Sequence, residues 1–299
     1  MTEYRSFAAY AEHALLVEPI RSRRELWRLL LGGVLILVII FGLNSLFYNL
    51  VRTLAPAAWY ADLFTGHLPG PTLLMLASFG FMTLATLVAA NLLQKRPGLS
   101  VLGPPARLIW QFWRVLRLLL VLGAVMLLLP PYDVGEPLVP NLSFGHWLML
   151  LPLSLGAVLI QTSAEEVLFR GYLQQSLAAR FSSPLVWMVI PSALFALGHY
   201  MPVEAGPNAG LVVVWAALFG VLMADLTARA GSLGPAIAVH FFNNITALLF
   251  TASPEVLNGL SLYLLPFPMS GTELARDWLA ADFAMLFICW LVARLAIRR

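Results

Sequence analysis

The chain of 299 residues is 60% hydrophobic and only 11% charged, with a mean hydropathy of +0.84. Soluble domains carry about 25% charged residues, so a soluble fold could not bury this much apolar surface. The single cysteine excludes an internal disulfide and a cysteine-based zinc site. The net charge of +3 gives no reason to invoke a nucleic acid, and we attribute it to basic residues beside an anionic membrane surface.

Long apolar runs follow one another along the chain and predict an all-α, polytopic transmembrane helical bundle of about eight spans. Residues 1–25 precede them as a cytoplasmic N-terminal segment, either an interfacial amphipathic helix or a flexible tail. Residues 26–299 are predicted to form one membrane domain, because no soluble domain separates the runs. The runs cover residues 26–50, 71–94, 107–130, 147–180, 184–200, 209–229, 233–251 and 277–297.

The basic residues indicate the orientation of these spans. Most of the 18 lysines and arginines fall at alternate connections and at the two ends of the chain, whereas the other side holds only Arg52 and Arg276. Cytoplasmic connections are enriched in Lys and Arg, so both termini are predicted to be cytoplasmic. We expect a multi-pass integral protein of the plasma (inner) membrane of a prokaryote, with the lipid bilayer as a partner and no prediction of oligomeric state.

The fourth apolar run contains charged residues that an ordinary span would not carry. Charged groups at the bilayer centre cost roughly 2.5–3.5 kcal/mol each, and those that persist usually have a function. Glu166 and Arg170 are spaced i, i+4 with the acid first, which favours an ion pair. Glu165 is rotated by about 100° from Glu166 and lacks that partner. We expect Glu166 and Arg170 to support the site and Glu165 to serve in chemistry; an ion-pair cluster that only locks helices is the alternative.

A histidine follows at the end of the fifth run, in the pattern Phe195-Ala-Leu-Gly-His199. If the fourth and fifth helices turn around residues 181–184, residues equidistant from that turn lie at equal depth. Glu165 and His199 satisfy this condition, so the sequence predicts that they meet.

The seventh run supplies His240-Phe-Phe-Asn243-Asn244. His240 and Asn244 are spaced i, i+4 and share a helix face, whereas Asn243 points elsewhere. The three helices together provide two acids, two imidazoles, a carboxamide and a guanidinium. Such a set suits amide hydrolysis, although hydrogen bonds between helices alone would also account for this third pair.

Peptide-bond hydrolysis needs an activated water, donors for the oxyanion and a proton for the leaving amine. Glu165 is the predicted general base, His199 orients the water or shares its proton, and His240 with Asn244 stabilises the oxyanion. This scheme requires no cofactor. Alternatively, a divalent metal, zinc, is held by Glu166, His199 and His240, which form a His2Glu ligand set.

These residues resemble the CPBP intramembrane proteases, which include CAAX prenyl endopeptidases and bacterial Abi proteins. The family carries E-E-x-x-x-R, F-x-x-x-H and H-x-x-x-N on successive membrane helices, and all three motifs occur here in order within about 147–250. The resemblance implies a helical fold of about eight spans in which the first Glu and both His are catalytic and Asn244 assists the oxyanion. The implied substrate is a membrane-associated protein or peptide, prenylated and CAAX-type or bearing a leader.

Two other classes remain open on the sequence alone: an ion-coupled transporter, since buried Glu, His and Arg also form proton relays, and a non-catalytic scaffold or immunity protein. No inverted repeat supports the transporter. Asp225 and Arg229 are predicted to be a structural i, i+4 pair. His13, His67 and His146 lie in or beside connections and are expected to be solvated.

Overall fold

The computed structural model describes residues 8–129, 136–271 and 273–298. Every predicted run forms a helix there, and the all-α transmembrane bundle is confirmed. The main helices are α1 Leu26–Leu54, α2 Pro69–Gln94, α3 Pro105–Met126, α4 Phe144–Arg180, α5 Pro184–Leu197, α6 Ala209–Ala230, α7 Gly234–Phe250 and α8 Glu273–Ile297. Among the described residues, six of them are long and apolar enough to cross a membrane, with α6 extended by the short helix before it, whereas α5 and α7 are shorter.

Three of these helices are not uniform along their length. In α2, the segment Pro69–Ser78 is followed by Gly80–Gln94. In α4 and α7, a π-helical segment follows a regular α-helix, at Val167–Gln174 and at Thr246–Phe250. Such π segments are rare and frequently mark functional sites. The first begins directly after Glu166, and the second begins two residues after Asn244.

Short elements connect the long helices. Those before α1 are the 3₁₀ turn Ala8–His13, the α-turn Ala14–Val17 and the 3₁₀ turn Glu18–Arg23; later ones are Ala57–Asp62, Gly98–Leu102, Pro202–Ala205 and Gly206–Asn208. Three two-residue strands form a small sheet: β1 Val139–Pro140, β2 Thr251–Ala252 and β3 Tyr263–Leu264. The central β3 is antiparallel to β1 and parallel to β2. Strands this short show no alternation in the sequence.

The N-terminal segment packs against the ends of α4, α5 and α6. Leu16 and Ile20 are 0% and 1% exposed. The expectation that His13 is solvated is wrong: it is 5% exposed, and its ring lies 4.8 Å from that of Trp187. Burial lowers the pKa of His13 to about 3, because the apolar surroundings disfavour the charged imidazole. His67 and His146 are exposed, as expected.

The predicted structural pair on α6 is confirmed. The Nε atom of Arg229 donates to Asp225 at 2.8 Å. The same carboxylate accepts hydrogen bonds from the Tyr10 hydroxyl at 2.9 Å and from the Trp290 indole at 3.0 Å. Asp225 therefore connects α6 to both the N-terminal segment and α8.

Candidate active site

Glu166 is the buried centre of the charged cluster on α4. Its side chain has no exposed surface, and its Oε1 atom lies 3.0 Å from Nη1 of Arg170. The i, i+4 ion pair predicted from the sequence is thus formed. The same oxygen lies 2.8 Å from Nδ1 of His240 on α7. One carboxylate oxygen therefore holds a guanidinium and an imidazole from two helices.

The Arg170 side chain extends from α4 and contacts α5 and α6. It is 1% exposed, its Nη2 atom donates to the Gly220 carbonyl at 3.3 Å, and its guanidinium lies 4.8 Å from the Phe195 ring centroid. A Cβ atom at Gly220 would lie 2.6 Å from Cβ of Ser192. Glycine is therefore needed here for α6 to approach α5 and to bring its carbonyl to Arg170.

Glu165 differs from its neighbour in both exposure and partners. About a tenth of its side chain remains accessible, 11% against 0% for Glu166. Its Oε2 atom lies 3.4 Å from Nε2 of His240, which is long for a hydrogen bond. Glu165 makes no ion pair with Arg170 in the described part of the chain. Glu166 is consequently fixed inside the bundle, whereas part of the Glu165 side chain is exposed, with its Oε2 atom buried and without a hydrogen bond among the described residues.

His240 lies between the two carboxylates, with one ring nitrogen toward each. Because Glu166 accepts from Nδ1, this nitrogen carries a proton, and Nε2 faces Glu165. The imidazole packs edge-on against Phe219, with ring centroids 4.9 Å apart. A hydrogen bond on one nitrogen sets the orientation and tautomer of the other. Glu166 therefore positions Nε2 of His240 beside Glu165.

Asn244 lies one turn beyond His240 and is joined to α4. Its Nδ2 atom donates to Oε1 of Gln161 at 2.8 Å, and its Oδ1 accepts from Asn243 at 3.3 Å. A carboxamide has two N–H donors, so one of those of Asn244 remains available. Sequence reasoning did not select Gln161, although its i, i+4 spacing from Glu165 places it on the same face of α4.

His199 does not form the predicted pair with Glu165. Among the described residues, its hydrogen bond is from Nδ1 to the Phe195 carbonyl at 2.9 Å, and its ring is half-buried. The Phe195 ring lies 4.4 Å from the His199 ring and 6.0 Å from that of His240. The estimate of equal depth assumed regular helices on both sides of the turn. Instead, α5 ends at Leu197, and a wider π segment separates Glu165 from the turn.

The arrangement does not fit the zinc set proposed from Glu166, His199 and His240. Within the described residues, no three His, Cys, Asp or Glu side chains form a group that could hold a metal. Glu166 is bonded through Oε1 to Nδ1 of His240, whose Nε2 faces Glu165 instead, so Glu166 and this Nε2 do not point toward one position. We therefore derive no catalytic step through a metal.

Comparisons with known proteins agree with the three motifs. Residues 146–246 match the family model described as type II CAAX prenyl endopeptidase Rce1-like. The chain is also similar to the uncharacterized protein YyaK of Bacillus subtilis (strain 168), with 26% identity over 259 residues, which cover 81% of this chain and 84% of the relative. No solved structure matches. The matched segment contains Glu165, Glu166, Arg170, His199, His240 and Asn244.

Proposed function

We propose that this chain, whose residues 146–246 belong to the CAAX-type (CPBP) intramembrane protease family, is an endopeptidase that cleaves membrane-associated proteins or peptides. The main support for the proposal is that two adjacent carboxylates differ in exposure and in bonding partners. Glu166 is fully buried and bonded to Arg170 and His240, while Glu165 has accessible surface and lies 3.4 Å from Nε2 of His240.

In this proposal Glu165 is the general base. Its carboxylate removes a proton from water, and the water oxygen attacks the carbonyl carbon of the scissile peptide bond. The carbonyl oxygen becomes the oxyanion of a tetrahedral intermediate. The proton held by Glu165 then passes to the amide nitrogen, the C–N bond breaks and the amine leaves. Water and the peptide are the only reactants consumed, and Glu165 returns to its starting carboxylate.

His240 and Asn244 are the proposed oxyanion donors. When both ring nitrogens of His240 carry protons, Nδ1 donates to Glu166 and Nε2 donates to the oxyanion. Asn244 contributes the N–H that its bond to Gln161 leaves available. Donors fixed before the reaction stabilise developing charge most effectively. Glu166, Arg170 and Gln161 act in this scheme as positioning residues, since they hold the donors and do not touch the substrate.

His199 is proposed to act from the side of the site facing α5. Its Nδ1 is engaged with the Phe195 carbonyl, which leaves Nε2 as an acceptor. This nitrogen would orient the attacking water or share its proton during transfer to the amine. The half-buried ring is compatible with access to water.

The proposed substrates are prenylated CAAX-type proteins or leader-bearing peptides. The family description names a CAAX prenyl endopeptidase, and the site lies on helices of an apolar bundle, where a membrane-anchored chain is the accessible kind of peptide. We further propose a prokaryotic inner-membrane location with both termini cytoplasmic, which rests on the distribution of basic residues along the sequence.

The decisive experiment compares Glu165→Gln with the wild type on a membrane-anchored reporter in proteoliposomes. Glu165→Gln should lose cleavage while keeping the same unfolding temperature, because the amide retains the shape but cannot accept the proton. Glu273→Gln, an exposed acid at the start of α8, is the matched control and should cleave normally. Full activity of Glu165→Gln would overturn the assignment of the base, and proton-coupled uptake without any cleavage would support the ion-coupled transporter.

A further inference from the structure

A cavity of about 240 Å³ lies between α3, α7 and α8. The α7 residues that line it, Val239, Asn243 and Thr246 among them, lie on a different face of the helix from His240 and Asn244. The cavity is therefore separate from the candidate active site. Its lining includes the aromatic residues Phe219, Phe242 and Trp278.

Asp282 places a carboxylate in this cavity. It lies in α8, a helix apolar enough to span a membrane, and lines the cavity together with Cys289, which is about two turns away on the same helical face. In the described part of the chain, Asp282 has neither a hydrogen bond nor an ion pair. A carboxylate within a membrane span is costly and is by default a functional group with a partner. No described residue that lines the cavity is basic, so the partner is to be sought among ligands.

Two other polar residues of the lining offer oxygen acceptors. Asn243 donates from Nδ2 to Asn244 at 3.3 Å, and its amide oxygen accepts no hydrogen bond among the described residues. The Thr246 hydroxyl donates to the Phe242 carbonyl at 3.0 Å, so its oxygen is left to accept. Trp278 and Cys289, which also line the cavity, carry donors. A lysine-type ammonium has three donors and no acceptor, so it can bond to the Asp282 carboxylate and to these two oxygens.

The rest of the lining is apolar and aromatic. Met126 and Leu286 provide aliphatic surface, and Phe242 and Trp278 provide aromatic rings. Aromatic faces attract cations by roughly 0.5–2 kcal/mol, with Trp the strongest. An alkyl chain carrying the ammonium would therefore find apolar contact over its whole length.

We propose that this cavity is a binding site for a protonated primary amine on an apolar chain, with the ammonium between Asp282, Asn243 and Thr246. The site is distinct from the proposed catalytic face and does not depend on the proposed protease activity. Two contacts connect it to that face: Asn243 bonds to Asn244, and Phe219 contacts both the cavity and the His240 ring.

The test measures binding of n-octylammonium to purified full-length protein in lipid nanodiscs by calorimetry, with empty nanodiscs subtracted. The amine should bind and raise the unfolding temperature, and n-octanol, which has the same chain without charge, should do neither. Asp282→Asn should weaken amine binding by at least about tenfold, because a charged hydrogen bond is lost. The matched control is Asp277→Asn, an exposed acid on the same helix outside the cavity, which should bind as the wild type does.

A second variant keeps the proposal testable if Asp282→Asn does not fold. Thr246→Val keeps the side-chain shape and removes one acceptor, and it should weaken binding by a few fold, about the effect of one hydrogen bond. Equal binding to wild type and to folded Asp282→Asn, or octanol binding as tightly as the amine, would overturn the proposal. Octyltrimethylammonium, which has no N–H donor, should bind more weakly than n-octylammonium.

The amine could be free or part of a peptide side chain, and a competition experiment distinguishes these sources. A membrane peptide containing one lysine is compared with the same peptide containing norleucine, using the Glu165→Gln variant so that nothing is cleaved. Displacement of n-octylammonium by the lysine peptide alone identifies a peptide side chain as the occupant. Amine binding that neither peptide displaces identifies a free alkylamine.

Discussion

His240 donates from Nδ1 to Oε1 of Glu166 at 2.8 Å, in a position where Glu166 has no exposed surface. The bond ties the histidine motif of α7 to the acidic motif of α4. Because Arg170 shares the same oxygen, Glu166, the proposed oxyanion donor His240 and the guanidinium form one connected unit. Loss of Glu166 should therefore affect stability and catalysis together.

The first prediction concerns Glu166→Gln, which leaves the Arg170 guanidinium buried without its counter-charge. Breaking a buried ion pair from one side costs roughly 3–5 kcal/mol, and the free energy of unfolding, measured by denaturant titration in micelles, should fall by about this amount. The control is Glu25→Gln. Its pair with Arg28 is also 3.0 Å long, but the Glu25 side chain is 45% exposed, so the change should be much smaller than for Glu166→Gln.

A double variant separates the two effects of Glu166. Glu166→Gln combined with Arg170→Met removes the isolated buried charge, so much of the stability should return. Cleavage should stay reduced, since the neutral amide oxygen of Gln is a weaker acceptor for Nδ1 of His240 than the carboxylate is. Recovery of both stability and activity in the double variant would show that Glu166 has no role in positioning His240.

The second prediction concerns the oxyanion donors. Asn244→Ala should lower kcat by about 10²–10³-fold with little change in KM, the usual effect of removing one such donor. Gln161→Ala should have a smaller effect, because it only orients Asn244 through their 2.8 Å hydrogen bond. The double variant should be no worse than Asn244→Ala alone. Independent, additive losses would contradict the proposed coupling of the two amides.

The parts of the site that the sequence predicted depend on local spacing. Glu166 and Arg170 lie one helical turn apart, and so do His240 and Asn244, so their shared faces follow from helix geometry alone. The prediction that Glu165 meets His199 required the rise per residue to be regular in two helices, over more than 30 residues. Among the described residues the two side chains share no hydrogen bond or ion pair, and the regular rise that the estimate assumed does not hold, because one helix contains a π segment and the other ends at Leu197. In the structure, the imidazole beside Glu165 is that of His240.

The elements outside the bundle were less predictable for a related reason. The strands that join residues 139–140, 251–252 and 263–264 are held by main-chain pairing across distant loops. The burial of His13 results from contact with Trp187 and Gln174, which are far away in the sequence. Composition indicates that a segment is apolar, but it does not indicate which distant side chains will cover it.

The third prediction concerns metal dependence. Chelation of the purified protein should leave cleavage of the reporter unchanged, because His240 directs one nitrogen to each of two carboxylates and no three-ligand group forms among the described residues. The measurement pairs activity after treatment with a chelator with the metal content of the protein. Stoichiometric zinc that is lost together with activity, and restored together with it, would overturn the glutamate mechanism.

The last prediction is a loss of stability in acid that originates at His13. Burial lowers its pKa to about 3, whereas an unfolded histidine titrates at 6.5. The unfolded state therefore binds a proton at a higher pH than the folded state does, so stability is full above pH 6.5 and is lost as the pH falls from 6.5 toward 3. At pH 5 the loss should be about 2 kcal/mol, from 1.36 kcal/mol per pH unit.

His13→Phe, which keeps the ring beside Trp187, should remove this part of the pH dependence, whereas His146→Gln, at an exposed position, should not. The measurement is amide hydrogen exchange of residues 8–23 between pH 7 and pH 5, corrected for the intrinsic rate. If the wild type and His13→Phe lose protection in parallel, the acid effect must come from another group.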